Sequence, residues 1–362
     1  MPKPRKTVVV GLSGGVDSSL TAALLKKQGY SVVGVYMKNW SDDFGDYGCT
    51  WAEDAEDARK VAQTLDIPFY VWNFEKEYYS KVVEYFLSEY KSGRTPNPDV
   101  LCNSEIKFKV FLEKALDLEA LELGADFVAT GHYSRIKKVG DKYQLLKGID
   151  PAKDQSYFLY RLTQSQLSRI LFPIGEYHKS EVREIAKKLD LPTCAKKDSQ
   201  GICFIGKINV TEFLKEHIKA KDGEIVTANG QQVGRHFGLP YYTIGQREGI
   251  GVGGQGPYYV VGKDFGSNKL FVTNDKNDPE LWKKSFNISD LSWTDNPPQY
   301  PANLGVTIRY HHPDYPALIN SSENGILSVT FDQPQRAITP GQSAVIYDGN
   351  VCLGGGVIET IT

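Results

Sequence analysis

A glycine-rich hexapeptide near the start of the chain has the residue types of a phosphate-binding loop. Residues 13–18 read Ser-Gly-Gly-Val-Asp-Ser and stand between an apolar run and a helix-like segment. Gly14 and Gly15 permit a tight turn in which backbone N–H groups approach an anion, and the following helix adds its positive dipole end. We expect a side chain within 17–19 to cap that helix, and Asp17 to lie near Mg²⁺. The loop lacks the lysine of the usual P-loop, so it does not predict transfer of a γ-phosphate.

Cysteines are the second group of residues that could do chemistry. The five, at positions 49, 102, 194, 203 and 352, form no C-x-x-C pair, which argues against a disulfide framework or a cysteine zinc site. Cys102 follows Pro96 and Pro98 and precedes a helix-periodic segment that starts at Ser104. We therefore expect Cys102 just before a helix N-terminus, where the dipole favours a thiolate. Cys203 lies in a glycine-flanked loop near two lysines. Local context alone fits a buried structural thiol at either position equally well.

The first 206 residues alternate between two patterns that would position these groups. Short, nearly continuous β-branched runs start near residues 7, 31, 68 and 126, and helical periodicity covers 18–28, 51–65, 75–90 and 104–123. Such runs are typical of buried parallel strands, and their alternation with helices predicts an α/β fold with a doubly wound parallel sheet.

The rest of the chain has a different texture. Residues 207–285 are glycine-rich with short β runs, which predicts a small central β-rich domain. Residues 286–362 alternate apolar and polar positions between many turns, which predicts a C-terminal antiparallel β-barrel. We expect domain boundaries at 1–206, 207–285 and 286–362, in line with the two or three domains that 362 residues allow.

Charge and apolar content narrow the classes of partner. A net charge of −2 excludes a polycationic nucleic-acid coat. Residues 135–198 carry 14 basic and 8 acidic side chains (+6), whereas 286–362 carry two basic and seven acidic ones (−5). The first stretch is the expected platform for a polyanion, although lysines that merely solvate helix faces would give the same count. The sequence has no run of 18 apolar residues and no signal peptide, so we expect a cytoplasmic protein with no membrane contact.

Five motifs in one order resemble the bacterial-type tRNA-specific 2-thiouridylase family of the PP-loop ATP pyrophosphatase superfamily. The match runs through most of the chain, with smaller elements at 245–247 and 340–342. The motifs are SGGVDS at 13–18, PNPDVLCN at 96–103, ATGHY at 129–133, KDQSYFL at 153–159 and DSQGICFIG at 198–206.

The resemblance implies an ATP-dependent tRNA sulfurtransferase that uses ATP and Mg²⁺. Such an enzyme adenylates the C2 oxygen of the wobble uridine, releases pyrophosphate, and then replaces the adenylated oxygen with sulfur from a cysteine persulfide. The products are 2-thiouridine, AMP and pyrophosphate. The implied partners are a tRNA, bound at its anticodon loop, and a sulfur donor such as a cysteine desulfurase or a sulfur-relay protein. The family also implies a monomer.

The resemblance further assigns roles to residues of the ATP site and the tRNA interface. The implied ATP-binding residues are Gly11, Leu12, Ser13, Gly14, Gly15, Val16, Asp17, Ser18, Met37 and Gly131. The implied contacts with the target base are Asn97, Pro98 and Asp99, and those with the rest of the tRNA are His132, Lys153, Asp154, Gln155, Arg309, Tyr310 and Gln342.

The resemblance also assigns roles to two of the cysteines. Cys102 matches the nucleophile and Cys203 the persulfide carrier, and their pairing as an alternate disulfide would be a resting or post-turnover form. Cys102 would release sulfide from the Cys203 persulfide or resolve the spent intermediate, and the sequence does not separate these routes. Asp99 is a candidate general acid or base, although an Asx-turn after Asn97 explains it equally well.

Three other classes of function are alternatives to this one. A PP-loop synthetase that forms an amide or guanidino group would need SGGVDS but gives no role to Cys102 and Cys203. A non-catalytic RNA-binding protein would hold ATP as a structural ligand, and tRNA-dependent pyrophosphate release would exclude it. An iron–sulfur thiolase acting on another base would want a C-x-x-C, which this chain lacks.

Overall fold

The computed structural model describes residues 5–41, 51–117, 124–198, 210–253, 256–322 and 325–361. Its strands are β1 Thr7–Gly11, β2 Ser31–Lys38, β3 Phe69–Asn73, β4 Phe127–Ala129, β5 Ser134–Val139, β6 Lys142–Lys147, β7 Ile170–Leu171, β8 Gly223–Val226, β9 Gln232–His236, β10 Tyr259–Asp264, β11 Lys269–Thr273, β12 Trp282–Trp293, β13 Ala302–Thr307, β14 Tyr315–Ser321, β15 Leu327–Arg336, β16 Ser343–Asp348 and β17 Val351–Ile361. Its main helices are α1 Val16–Lys27, α2 Trp51–Thr64, α3 (75–91), α4 (98–116), α5 Lys179–Lys188 and α6 Val210–His217, with single turns at Ser156–Leu159, Gln164–Leu167, Pro173–Glu176, Leu239–Tyr241 and Pro279–Leu281.

A five-stranded parallel sheet forms the first part of the fold, in the order β3-β2-β1-β4-β7. Alternate residues of β1 face opposite sides, as the period of a strand requires. Val8 and Val10 pack in one core with apolar residues of α1 and α2, whereas Val9 packs in another with residues of α3 and α4. Helices therefore cover both faces, and the prediction of a doubly wound parallel sheet is confirmed.

Two short sheets complete the architecture. The order β10-β11-β8-β9 gives a small four-stranded sheet in the middle of the chain. Strands β12-β15-β14-β13-β16-β17 form an antiparallel sheet that closes on itself, because β12 also pairs with β17. Phe286, Ile319 and Phe331 are among the fully buried residues inside this barrel. The predicted central β-rich domain and C-terminal antiparallel barrel are both confirmed.

A hairpin of the first region joins the barrel. Strands β5 and β6 pair with each other, and β6 also pairs with β17, which places Leu145 opposite Cys352 and Leu146 opposite Val351. The sequence analysis assigned residues 134–147 to the first domain, whereas their hydrogen bonds extend the C-terminal sheet. Cys352 is fully buried at this junction.

The basic stretch 135–198 is partly neutralised by carboxylates of the barrel region. Lys142 pairs with Asp295, Lys147 with Asp314 and Arg161 with Asp290, all at N–O distances of 2.5–2.8 Å. Those aspartates belong to the acidic C-terminal region. Ion pairs between the two oppositely charged stretches thus connect the barrel with the first domain. These three cations are not available to a polyanion, so the interpretation of 135–198 as an open platform is wrong for them.

The helix that carries Cys102 begins earlier than the sequence suggested. Asn97 is its N-cap and Pro98 its first residue, so Cys102 lies inside the helix, one turn after its start. Proline is tolerated at that first position because its missing N–H has no partner there in any helix. The prediction that Cys102 precedes the helix was therefore wrong. The segment Cys102–Val110 is π-helical, a form that is frequent at functional sites.

Within the described residues, no helix is both long and apolar enough to cross a membrane.

Candidate functional site

The glycine-rich loop forms an open anion cradle at the end of β1. Gly15 is the N-cap of α1, and the structure shows no side-chain hydrogen bond at that cap, so the predicted cap within 17–19 was wrong. Instead, Ser18 Oγ accepts the Ser13 N–H at 3.1 Å and lies 3.2 Å from Ser13 Oγ. A cap without a side chain leaves the first-turn N–H groups available to a phosphate oxygen. Gly14 has φ +72°, and a β-carbon there would lie 2.3 Å from the Asp54 carbonyl oxygen.

The remaining residues implied in ATP binding converge on the same cradle. A β-carbon added to Gly131 would lie 2.7 Å from Ser18 N, and one added to Gly11 would lie 2.9 Å from Met37 Cε. Gly11 ends β1 and Gly131 follows β4. These two strands are neighbours in the sheet, at the point where the strand order reverses. Ligands of doubly wound folds bind at that point, outside the carboxyl ends of the strands.

A network of charges that the sequence analysis did not predict stands beside the cradle. Lys179 Nζ lies 2.8 Å from both carboxylate oxygens of Asp17 and 2.8 Å from Asp198. Lys153 and Arg183 also pair with Asp198, at 2.9 and 2.7 Å. Burial alone would raise the pKa of Asp198, but the hydrogen bonds from Lys153 and Lys179 lower it to about 2. A cluster of cations thus lies next to the loop that is built for phosphates.

Lys179 could have been noticed from its position in the chain. It is the first residue of α5, directly after the N-cap His178. A cation at a helix N-terminus opposes the helix dipole, so helix stability does not explain a lysine there. Its partners, however, are 162 residues upstream and 19 residues downstream, and local patterns contain no information on such contacts.

The carboxylate that the sequence places near Mg²⁺ is already engaged. Asp17 Oδ1 accepts the Tyr133 hydroxyl at 2.7 Å in addition to Lys179. Burial raises the pKa of Tyr133, and the Asp17 charge acts in the same direction, so Tyr133 stays a neutral donor. Among the described residues, no group of three or more His, Cys, Asp or Glu side chains is arranged to hold a metal. Mg²⁺ usually binds through substrate phosphates and one or two carboxylates, and Asp17 supplies one carboxylate at the cradle.

A second cluster brings together residues implied in contacting the target base and the tRNA. We call Asn97, Arg309, Tyr310 and Gln342, with Tyr157 beside them, the base cluster. The Asn97 side chain hydrogen-bonds Tyr157, whose hydroxyl donates to the Ser343 carbonyl at 2.9 Å. Gln342 donates to the carbonyls of Thr95 and Pro96 at 2.8 and 3.2 Å, immediately before Asn97.

Tyr310 and Arg309 complete this cluster from the barrel. Tyr310 packs on Phe158, with ring centroids 4.4 Å apart. Burial and the negative charges of Asp154 and Asp99 raise the pKa of Tyr310 to about 12. Burial also lowers the pKa of Arg309, while a neighbouring tyrosine, Tyr157, acts in the opposite direction. Segments that are more than 200 residues apart thus meet at the start of α4.

One helix connects the two clusters. The N-terminus of α4 carries Asn97, Pro98 and Asp99, and fully buried Cys102 follows within the next turn. Further along α4, Phe108 packs against His132, with ring centroids 5.7 Å apart, and His132 directly follows Gly131 of the cradle. The backbone at Phe108 is non-helical, and its carbonyl accepts a hydrogen bond from Gln166 at 2.6 Å. Cys102 therefore lies on the helix that begins in the base cluster and contacts His132, the neighbour of Gly131.

Several residues implied in tRNA contact bind other parts of the protein. Lys153 pairs with Asp198, Asp154 accepts the N–H groups of Gly148 and Ser156, and Gln155 accepts the N–H of Tyr133. Burial raises the pKa of Asp154.

His132 is also enclosed, and so are three aromatic side chains of the first part of the chain. His132 is 6% exposed and lies 2.7 Å from Thr130 Oγ1, and burial, with the Lys107 charge, lowers its pKa well below 6.5. Trp40, Tyr133 and Tyr157 are 9% exposed or less, so they belong to the core and not to an exposed RNA-binding surface.

Cys203 and Cys49 lie outside the described residues. The described residues that flank 199–209 are Asp198 and Val210. Asp198 pairs with Lys179 beside the cradle, and α6 starts at Val210, with Phe213 of that helix packed on Trp40 at 6.4 Å.

We expect the substitution Gly131→Ala to weaken ATP binding severely. The new methyl group would lie under 3 Å from backbone atoms of Asp17 and Ser18, so α1 would have to move away from its position in the cradle. Overpacking of this kind also lowers the free energy of unfolding by about 1–3 kcal/mol. Calorimetric titration with ATP and thermal unfolding measure the two effects. Gly262→Ala is the control, because its methyl group would meet Phe271 Cβ at an ordinary 3.7 Å. Wild-type ATP affinity in Gly131→Ala would contradict the placement of the nucleotide.

Models of known protein families match three consecutive parts of the chain. A tRNA methyl transferase HUP domain matches residues 6–207, a tRNA methyl transferase PRC-barrel domain matches 211–274, and an aminomethyltransferase beta-barrel domain matches 283–358.

Relatives that match over nearly the whole chain are named for an activity other than methyl transfer. The tRNA-specific 2-thiouridylase MnmA of Listeria monocytogenes serotype 4a (strain HCC23) is 54% identical over 358 residues, which covers 98% of this chain and 95% of the relative. The protein of the same name from Bacillus subtilis (strain 168) is 50% identical over 363 residues, with 99% and 96% coverage. The one from Exiguobacterium sibiricum is 52% identical over 355 residues, with 98% and 94% coverage.

Proposed function

The chain belongs to the tRNA-specific 2-thiouridylase family, and on that premise we propose that it replaces the C2 oxygen of a wobble uridine in tRNA with sulfur. It is an ATP-dependent tRNA sulfurtransferase. One observation supports the assignment of residues above all others. Helix α4 starts in the base cluster, Cys102 follows in its next turn, and Phe108 further along the helix contacts His132 beside the phosphate cradle.

The first step is the activation of a poor leaving group. The uracil C2 oxygen attacks the α-phosphorus of ATP, the α–β phosphoanhydride bond breaks, and pyrophosphate leaves. The cradle N–H groups, Ser13 and Ser18 bind the phosphates, and Lys179 contributes a positive charge where negative charge develops. Mg²⁺, when bound with ATP, neutralises further phosphate charge. Met37 and Gly131 border the nucleotide.

The second step uses the two thiols. Sulfur carried as a persulfide on Cys203 attacks C2, and AMP leaves with the former C2 oxygen. Cys102 attacks the Cys203 sulfur, either before this step, to release sulfide, or after it, to free the thiolated base. Both routes end in a Cys102–Cys203 disulfide, which a cellular thiol must reduce before the next persulfide is loaded. The reducing cytoplasm is the compartment that suits this cycle.

The base must leave the anticodon stack to reach Cys102. Unstacking a loop nucleotide costs a few kcal/mol. Asn97, Pro98 and Asp99 are proposed to hold the extruded uracil, with Asp99 able to move a proton. Arg309, Tyr310 and Gln342 surround the same helix start, and His132, Lys153, Asp154 and Gln155 are proposed to support the RNA from the cradle side.

The domain division 1–206, 207–285 and 286–362 is part of the proposal, as are a monomeric enzyme and a persulfide-carrying protein as the sulfur donor. The three family matches, which end and begin near residues 207–211 and 274–283, support these boundaries.

Mass analysis of tRNA nucleosides tests the function directly. An unmodified tRNA transcript is incubated with the protein, ATP, Mg²⁺ and a persulfide source, and then digested. We expect 2-thiouridine, with pyrophosphate release that depends on tRNA. Reactions without ATP and with Cys102→Ser are the controls. A methylated nucleoside, as the names of the matched domains suggest, or an unchanged tRNA would refute the proposal.

A further inference from the structure

A basic groove runs between the middle sheet and the barrel. It has a volume of about 510 Å³, and its lining includes the cations Arg247, Lys276 and Arg336 and the rings of Tyr259 and Trp282. We call these five residues the basic groove. Trp282 begins β12 opposite Arg336, the last residue of β15, and Tyr259 begins β10. The sequence analysis assigned none of the five a role.

The cations of the groove differ from those of 135–198 in their partners. No ion pair among the described residues includes Arg247, Lys276 or Arg336, whereas Lys142, Lys147 and many other cations of this protein have carboxylate partners. The described lining of the groove also contains no carboxylate. Three positive charges held together without internal neutralisation indicate a site for an external anion.

The aromatic side chains give the groove a second kind of contact. Trp282 is 39% exposed, and its indole N–H donates to the Lys276 carbonyl at 3.3 Å, which orients the ring. The Arg336 guanidinium lies 4.9 Å from the centroid of the Tyr259 ring. A basic groove with accessible aromatic rings is the combination that binds single-stranded nucleic acid, because phosphates pair with the cations and bases stack on the rings.

The groove adjoins the base cluster through the backbone. Arg309 donates to the carbonyl of Ala337 at 3.2 Å, and Ala337 directly follows Arg336. The region 286–362 has only two basic residues in its sequence, Arg309 and Arg336, and seven acidic ones. The two cations of this acidic region are therefore neighbours, Arg309 in the base cluster and Arg336 in the groove.

We propose that the basic groove binds a further single-stranded or loop segment of the tRNA, with phosphates at Arg247, Lys276 and Arg336 and a base stacked on Trp282. This inference rests on the proposed function and extends its RNA-binding surface beyond the residues implied by the family.

Binding of a tRNA transcript at several salt concentrations tests the groove. Each phosphate contact adds about one to the slope of log affinity against log salt. The triple variant Arg247→Ala/Lys276→Ala/Arg336→Ala is expected to lower that slope by about three, and Trp282→Ala to weaken binding about tenfold, with less loss in Trp282→Phe. Lys269→Ala is the control, because Lys269 is an exposed lysine of the same sheet that pairs with Glu224. Thermal unfolding shows whether each variant is folded. If the triple variant is unstable, the single variant Arg247→Ala replaces it, because Arg247 is exposed.

The possible outcomes distinguish a failure of the groove proposal from a failure of the proposed function. A triple variant with wild-type affinity and slope overturns the groove as an RNA site while the thiolation assay of the wild-type protein still stands. Weaker binding with an unchanged slope also overturns it, because the loss is then not one of phosphate contacts. Unchanged tRNA binding with slower sulfur transfer from a donor protein would assign the groove to that protein instead. Wild-type protein that neither binds nor thiolates tRNA overturns the proposed function itself.

Discussion

The Cys203→Ser protein is expected to release pyrophosphate from ATP in the presence of tRNA and to form no 2-thiouridine. In the proposed mechanism, adenylation of the C2 oxygen uses residues assigned to the cradle and the base cluster, and it assigns no part in this step to Cys203. A serine hydroxyl cannot carry a persulfide, so product formation should fall by at least about a thousandfold, as it does when a nucleophile is removed. Pyrophosphate release and 2-thiouridine are measured in the same reaction. Loss of both activities would contradict the order of steps.

Cys102→Ser supplies the matched comparison. Cys102 is fully buried in α4, one turn after the residues proposed to hold the base, so this variant should also release pyrophosphate and form no product. It differs from Cys203→Ser in that the persulfide on Cys203 still forms and accumulates, which mass analysis of the protein detects. Cys194→Ser, a change at a half-buried cysteine, is the control that should keep full activity. Persulfide loss in Cys102→Ser would reverse the roles of the two thiols.

Lys179→Met should reduce tRNA-dependent pyrophosphate release by about 100-fold. Its ammonium group lies 2.8 Å from Asp17 in the loop proposed to hold the phosphates, and its side chain is 12% exposed. Removal of one preorganised charge or donor from a site where negative charge develops costs 10²–10³ in rate. Lys179→Arg should recover part of the activity, because it keeps the positive charge.

The control for Lys179→Met is the same substitution at a lysine that also pairs with an aspartate but lies away from the cradle. Lys142 pairs with Asp295 at 2.7 Å at the barrel junction, so Lys142→Met removes an ion pair without touching the cradle. Thermal unfolding of both variants separates activity from stability. If Lys179→Met lowers only the unfolding temperature and leaves pyrophosphate release unchanged, then Lys179 is a structural partner of Asp17 and Asp198.

Local chemistry explains which parts of the fold could be predicted from the sequence. The strands were found because β-branched runs such as Thr7–Gly11 are buried on both faces of a parallel sheet. The cradle was found because a turn with φ +72° at position 14 requires glycine, which is visible in the sequence itself. The start of α4 was missed because Pro98 was interpreted as a helix breaker, whereas proline at the first position of a helix is favourable.

Contacts between distant segments explain what could not be predicted. Residues 135–198 carry an excess of positive charge, but only the fold shows that Asp290, Asp295 and Asp314 of the barrel neutralise part of it. The same holds for Lys179, whose partners are far away in the chain. The family resemblance correctly indicated the fold and the family, and the roles of individual residues, above all Cys203, stay predictions.

The hairpin β5–β6 links the cradle to the barrel. It hydrogen-bonds to β17 of the barrel, and the ion pairs of Lys142 and Lys147 bind it there from both ends of β6. Arg309 and Tyr310 follow β13 of that barrel, while Tyr133, the residue before β5, donates to Asp17 in the cradle. Backbone pairing and ion pairs thus form a continuous path between the two parts. We therefore expect the RNA, more than the protein, to change shape when the uracil meets the α-phosphorus.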